Sequence, residues 1–238
     1  WFMRQAGRYL PEFREVRKKN PDFIKLCLNP SLASEITLQP LKRFDLDAAI
    51  IFSDILMIPY GLGQNIEFKK GEGPILGECE EKNILSTEEA DVIKKITPIY
   101  QAIKQVKNKT KKNVIGFTGA PWTLLVYMLN KKSPKENFDF NFITKDKLLV
   151  KKLLEKLVST IVFHIIKQIE AGANVIQIFD SWAGLLPKKN LTEYCFDPTV
   201  EILRRVKKFG VPIICFPKGI KENYSDFCSI VKPDCISI

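Results

Sequence analysis

Short runs of branched and aromatic residues alternate along the chain with longer stretches of helical periodicity. Five runs read as strands: residues 46–52, 114–117, 173–179, 211–216 and 235–238. Their near-continuous hydrophobicity suits strands buried on both faces of a parallel sheet. Between them, Ser86-Thr-Glu-Glu89 reads as a capping box opening a helix toward Lys107. After Thr144, apolar residues at 150, 153, 154, 157, 158, 161, 162, 165, 166 and 169 recur at helical spacing, with Gly172 placed as the C′ residue. A further helix is expected after Pro198, ending at Gly210. Strands alternating with helices predict a parallel α/β fold. No linker or composition break interrupts the pattern, so residues 1–238 read as one domain. The first residue is not Met and the last run ends in mid-strand by pattern, so a partial chain is expected.

Charge and composition narrow the function classes. There are 37 Lys+Arg against 27 Asp+Glu, a formal net charge of +10. Such a surplus favours nucleic acid, an anionic membrane or a polyanionic small molecule, or it reflects a Lys-rich solvated surface. Basic runs such as Lys109-Thr-Lys-Lys112 lack interleaved aromatics, so no nucleic-acid partner is expected. No apolar stretch reaches membrane-spanning length and no signal peptide is recognisable, so no membrane partner is expected. Neither G-x-G-x-x-G nor G-x-x-x-x-G-K-[ST] occurs, which argues against dinucleotide or nucleoside triphosphate chemistry. The six cysteines are scattered and His164 is the single histidine, so no metal site is expected. Cys215 and Cys235 lie in apolar runs and read as buried free thiols in a reducing compartment.

Polar residues gather just after the strands: Ser53-Asp54, Thr118-Gly-Ala-Pro-Trp122, Asp180-Ser-Trp-Ala-Gly184 and Pro217-Lys-Gly219. Ligand sites of parallel sheets lie at the carboxyl ends of strands, although any such loop is polar because it meets solvent. Asp54 at the mouth of a dry sheet can accept N–H donors or hold a cation, or serve as a helix cap or structural ion pair. Arg4 and Arg8, four residues apart around Gln5-Ala-Gly7, form a pair of guanidinium forks suited to carboxylates, or ordinary surface charges. Tyr127 lies about two turns into a helix after Pro121 and reads equally as core. Ser181 has no adjacent His, so it is a poor nucleophile candidate. His164 sits beside an apolar stripe and reads as structural.

Together these segments resemble one family. Trp1-Phe-Met-Arg-Gln-Ala-Gly-Arg-Tyr-Leu-Pro11 is similar to the N-terminal signature of uroporphyrinogen decarboxylases. Leu38-Gln-Pro-Leu-Lys-Arg-Phe44, Ile50-Ile-Phe-Ser-Asp-Ile-Leu56, Gly116-Phe-Thr-Gly-Ala-Pro-Trp-Thr-Leu124, Phe179-Asp-Ser-Trp-Ala-Gly184 and Phe216-Pro-Lys-Gly219 resemble later family segments in the same order. The resemblance implies a (β/α)8 TIM barrel, incomplete here with about five of eight strands. It implies a lyase of porphyrin and heme biosynthesis that removes the four acetate carboxylates of uroporphyrinogen III, giving coproporphyrinogen III and CO2 without metal or organic cofactor. A homodimer in the cytoplasm or a plastid-like organelle is also implied. Carried over by position, Asp54, Arg4 and Tyr127 are the catalytic set. Arg4, Arg8 and Gln5 grip substrate carboxylates, Asp54 receives the pyrrole N–H groups, and Tyr127 and Ser181 hydrogen-bond carboxylates. Phe13, Ile50, Phe52 and Phe179 line apolar walls. The family's Gly-His-Gly segment has no counterpart here, which puts the activity of this chain by itself in doubt. Corrinoid-linked methyltransferases resemble the family in fold, but they use zinc with His/Cys ligands, and no such cluster is visible.

Overall fold

The structure is a computed structural model and describes residues 9–69, 71–134 and 138–238. Arg4, Gln5 and Arg8, all expected in the site, lie outside the described residues. Three helices come first: α1 (Pro11–Lys19), α2 (Phe23–Cys27) and α3 (Pro30–Arg43). The last two start where Asp22 and Asn29 accept the Lys25 and Leu32 N–H groups, satisfying donors that an open helix end leaves unpaired. Next come β1 (Ala48–Ile50), α4 (Met57–Gly61), β2 (Ile66–Lys69) and β3 (Gly73–Leu76). They are followed by α5 (Glu81–Ser86), α6 (Glu89–Lys109), β4 (Asn113–Gly119), α7 (Pro121–Asn130) and α8 (Phe140–Thr144). The chain continues through α9 (Lys147–Glu170), β5 (Val175–Asp180), α10 (Asp197–Val206), β6 (Ile213–Pro217), α11 (Tyr224–Val231) and β7 (Cys235–Ile236).

Strands β1, β4, β5, β6 and β7 pair in that order, every pairing parallel, while β2 and β3 form a separate antiparallel hairpin. Helices α3, α6, α7 and α9 pack against one side of the sheet, where Ile176, Ile178 and Cys215 join a large core with Ile96, Leu157 and Ile165. On the opposite side Ala48, Ile50 and Ile115 form a second cluster with Phe117 and Val175. Helices on one side and a separate side-chain layer on the other are the arrangement of an incomplete α/β barrel. Among the described residues the sheet holds five strands and stays open at β1 and β7. No helix among these residues is long and apolar enough to cross a membrane.

All five expected strands form, though β1 is shorter than the run at 46–52. The Phe52 N–H leaves the ladder and donates to the Thr37 hydroxyl of α3 at 2.8 Å. Gly172 follows the C-cap of α9 with φ +109°, a conformation that glycine adopts without a Cβ penalty. Two expectations are corrected. The helix toward Lys107 exists, but its N-cap is Glu88 and no capping box forms. The Ser86 and Thr87 hydroxyls instead donate to the Asn83 carbonyl, closing α5. Cys215 is buried as expected, whereas Cys235 is exposed because β7 is the outer strand.

His164 is structural. Its Nδ1 lies 2.8 Å from the Tyr100 hydroxyl, and Gln168 one turn later bonds both the N–H and the carbonyl of Phe117. A Cβ at Gly116 would collide with the Gln168 amide oxygen, which explains the glycine in β4. Burial lowers the His164 pKa to about 4, against a weaker opposing bond from the Phe117 backbone. The folded value lies below the unfolded one, about 6.5. The stability held by the neutral ring is therefore complete above about pH 6.5 and is lost as pH falls toward 4. At pH 4 that loss amounts to roughly 3 kcal/mol. Denaturant melts of wild type and His164→Asn should show a stability difference that changes across this window and is constant above it; a pH-independent difference would contradict the assignment.

Candidate active site

The carboxyl ends of β4, β5 and β6 are tied to one another through backbone. The Ala120 N–H after β4 donates to the Phe179 carbonyl of β5 at 2.8 Å, and the Lys218 N–H after β6 donates to the Asp180 carbonyl at 3.0 Å. At the β4 tip a Cβ on Gly119 would stand 2.6 Å from a Leu124 methyl and 3.2 Å from Ile55, so the turn after β1 abuts β4 closely. Beyond β5 the Gly184 N–H bonds the Lys218 carbonyl at 2.9 Å. There a Cβ on Gly184 would lie 2.7 Å from the Gly219 carbonyl oxygen. Gly219 itself has φ +80°. The terminal glycines of both motifs thus exist because two main chains touch.

Asp54 is half-buried in this rim. Its Oδ1 accepts the Leu56 N–H at 2.9 Å, and its carbonyl accepts the Met57 N–H at 3.2 Å. The carboxylate therefore closes a local turn two residues long while remaining partly open; the helix cap foreseen for it is not formed, because Leu56 is the N-cap of α4 and has no side-chain cap bond. Desolvation pushes its pKa up to about 6, opposed by the Leu56 N–H. Tyr127 on α7 and Ser181 just after β5 are also half-buried. The Tyr127 ring packs on Trp182 with centroids 5.9 Å apart.

The apolar residues fall into two groups. Phe179 contacts Phe117 at 5.6 Å and Phe216 at 5.9 Å, both edge-on. The parallel register sets Gly119, Phe179 and Phe216 side by side, two residues beyond the row that includes Phe117 and Gln177. Ile50 lies beneath in the cluster with Ile115. Phe13 and Phe52 meet at 6.0 Å and continue through Phe23 to Phe68. Phe13, Ile50 and Phe52 are buried, so within these residues they back the rim, whereas Phe179 is partly open.

Sequence reasoning missed Thr123 and Asp180. The Thr123 hydroxyl donates to Asp180 Oδ1 at 2.6 Å and accepts the Trp182 N–H at 3.0 Å. One signal for this was present: α7 begins at Ala120, which has no side chain able to cap it. Among the described residues no group of His, Cys, Asp and Glu is arranged to hold a metal ion.

Parallel strands with helices on one side, and strand ends that carry a half-buried carboxyl and a row of aromatic side chains, are those of an α/β-barrel enzyme. The chain belongs to the uroporphyrinogen decarboxylase family, whose model matches residues 1–238. Uroporphyrinogen decarboxylase of Rickettsia bellii (strain RML369-C) is 42% identical over the whole of this chain, which spans 72% of that protein. That of Chelativorans sp. (strain BNC1) is 41% identical over 95% of this chain and 68% of its own length. A methyltransferase from Methanosarcina mazei superposes with a TM-score of 0.74 over 94% of this chain and 67% of its own. At 16% identity it shares the fold alone.

The contact between Gly184 and Gly219 carries a measurable cost. Gly184→Ala forces a Cβ against a backbone oxygen and should destabilise the fold by roughly 1–3 kcal/mol. For a domain of this size that lowers Tm by about 2–4 °C per kcal/mol. An unchanged melting temperature would mean that the two loops part freely.

Proposed function

We infer that this chain carries out the decarboxylation for which its relatives are named. It converts the four acetate arms of uroporphyrinogen to methyl groups with release of CO2, giving coproporphyrinogen in tetrapyrrole biosynthesis. The family match along the whole chain carries this reading. The rim chemistry supports it: the strand ends carry a half-buried carboxyl and a row of aromatic side chains, and the substrate is an apolar macrocycle fringed with carboxylates.

The roles follow from the substrate's chemistry. Loss of CO2 from an acetate arm leaves an electron pair that needs an acceptor, and a pyrrole protonated at a ring carbon provides one within the substrate. The Asp54 carboxylate accepts the pyrrole N–H groups and stabilises the positive charge that grows on the ring, an interaction stronger in the transition state than in the ground state. Its pKa of about 6 leaves it mostly ionised at neutral pH. Arg4 and Arg8, with Gln5, hold carboxylates through charge-assisted hydrogen bonds. Arginine keeps its proton, with a pKa above about 12, so Arg4 acts as a clamp. Tyr127 and Ser181 bond further carboxylates, and Phe13, Ile50, Phe52 and Phe179 form the walls. The reading needs no metal or organic cofactor. It extends to a homodimer working in the cytoplasm or a plastid-like organelle.

In the natural protein, Asp54→Asn should lower kcat/KM for uroporphyrinogen by about 100–1,000-fold. Wild-type kcat/KM should rise with pH through a midpoint near 6 as Asp54 ionises, a limb that the Asn variant lacks. Full turnover in Asp54→Asn would sink the assignment.

A further inference from the structure

We propose that Thr123 and Asp180 are a positioning pair that locks the first turn of α7 to the β5 tip and so sets the separation of Tyr127 and Ser181. The proposal rests on the reading of those two residues as substrate contacts.

Asp180 ends β5 and shares a face with Ile176 and Ile178, which belong to the helix-side core. It is 4% exposed, and its Oδ1 faces α7. Helix α7 opens at Ala120-Pro121, with Thr123 at the third helical position. A capping side chain normally accepts the N–H of the second or third residue. Here the Thr123 hydroxyl donates to Asp180 Oδ1, which ties the first turn of the helix to a strand residue 57 positions away. The Thr123 oxygen also accepts the Trp182 N–H at 3.0 Å, and the Trp122 indole N–H donates to the Trp182 carbonyl at 3.0 Å. Trp182 is therefore held at both ends of its main chain by the first turn of α7. Ser181 lies between the two tied residues. Tyr127 follows Thr123 by four positions, on the same helix side, and its ring rests on Trp182. Trp122 and Thr123 have no exposed surface, so water does not compete for these bonds. Burial pushes the Asp180 carboxyl up to about 6, while the Thr123 hydroxyl, Cys195 thiol and Thr123 N–H draw it down, which leaves it mostly charged at neutral pH.

The test compares Thr123→Val, which keeps the shape and loses the hydroxyl, with Thr123→Ser, which keeps the hydroxyl. Ser181→Ala and Tyr127→Phe are measured beside them, all in the natural protein with uroporphyrinogen as substrate. Thr123→Val should lower kcat/KM by about 100-fold, the effect of a misplaced contact; Thr123→Ser should restore most of it. Adding Ser181→Ala to Thr123→Val should cost far less than Ser181→Ala alone, a coupling that general loosening of the fold would not produce. Should Thr123→Val fail to fold, Asp180→Asn carries the same cycle. Wild-type kinetics in Thr123→Val, or independent multiplication of the two losses, would overturn the pair. Wild-type kinetics in both Ser181→Ala and Tyr127→Phe would instead overturn the site reading beneath it, and the pair with it.

Discussion

Residues 176, 178 and 180 of β5 turn toward the helices, while 177 and 179 turn toward the other side of the sheet, because successive side chains of a strand alternate. β5 is the third of five parallel strands, with β4 and β6 in register on its two sides. The alternation therefore fixes two layers at once. On one side Ile176 and Ile178 join the helix core and Asp180 meets α7. On the other, Phe179 stands between Phe117 and Phe216. A one-residue slip would exchange every one of these environments, placing an aspartate among the phenylalanines and a phenylalanine against Thr123.

Two carboxyls near the rim share a pKa of about 6 and the same leading cause, desolvation. Their surroundings differ. Asp180 is committed to the Thr123 hydroxyl and lies almost wholly beneath the surface. Asp54 uses Oδ1 for the Leu56 N–H and stays partly open. A similar shift thus accompanies an internal fastener in one case and, in our reading, a substrate contact in the other, which is why local geometry carries the assignment rather than the titration.

Most of the architecture was legible because buried parallel strands write long apolar runs and amphipathic helices write a 3.6-residue period. The five strands, α9 with Gly172, and α10, which a 3-10 turn at Lys207–Phe209 carries on to Gly210, followed from those patterns alone. The β2–β3 hairpin did not, because the alternation of Ile66-Glu-Phe-Lys69 lasts only four residues and Gly73-Pro-Ile-Leu76 has none. The capping box at Ser86 failed because Ser86 and Thr87 found a nearer acceptor in Asn83, a competition that short polar side chains often win at helix ends. Site chemistry was legible only in outline. Asp54 and Ser181 follow strand tips, but the roles given to Ser181 and Tyr127 came from the family resemblance and not from any local pattern. The link from Thr123 to Asp180 spans 57 residues and leaves no local spacing to read.

The touching backbones of Gly184 and Gly219 have a consequence for how this rim can diversify. At Gly184 and Gly219 the loops after β5 and β6 meet main chain to main chain, so at that point neither has a side chain that could absorb a change in the other. A longer or bulkier residue in one demands a simultaneous displacement of its neighbour, and such paired changes are far rarer than single ones. At the hairpin turn the constraint is of another kind: an added Cβ on Gly71 would meet nothing within 4 Å, and only its φ of +83° still favours glycine there.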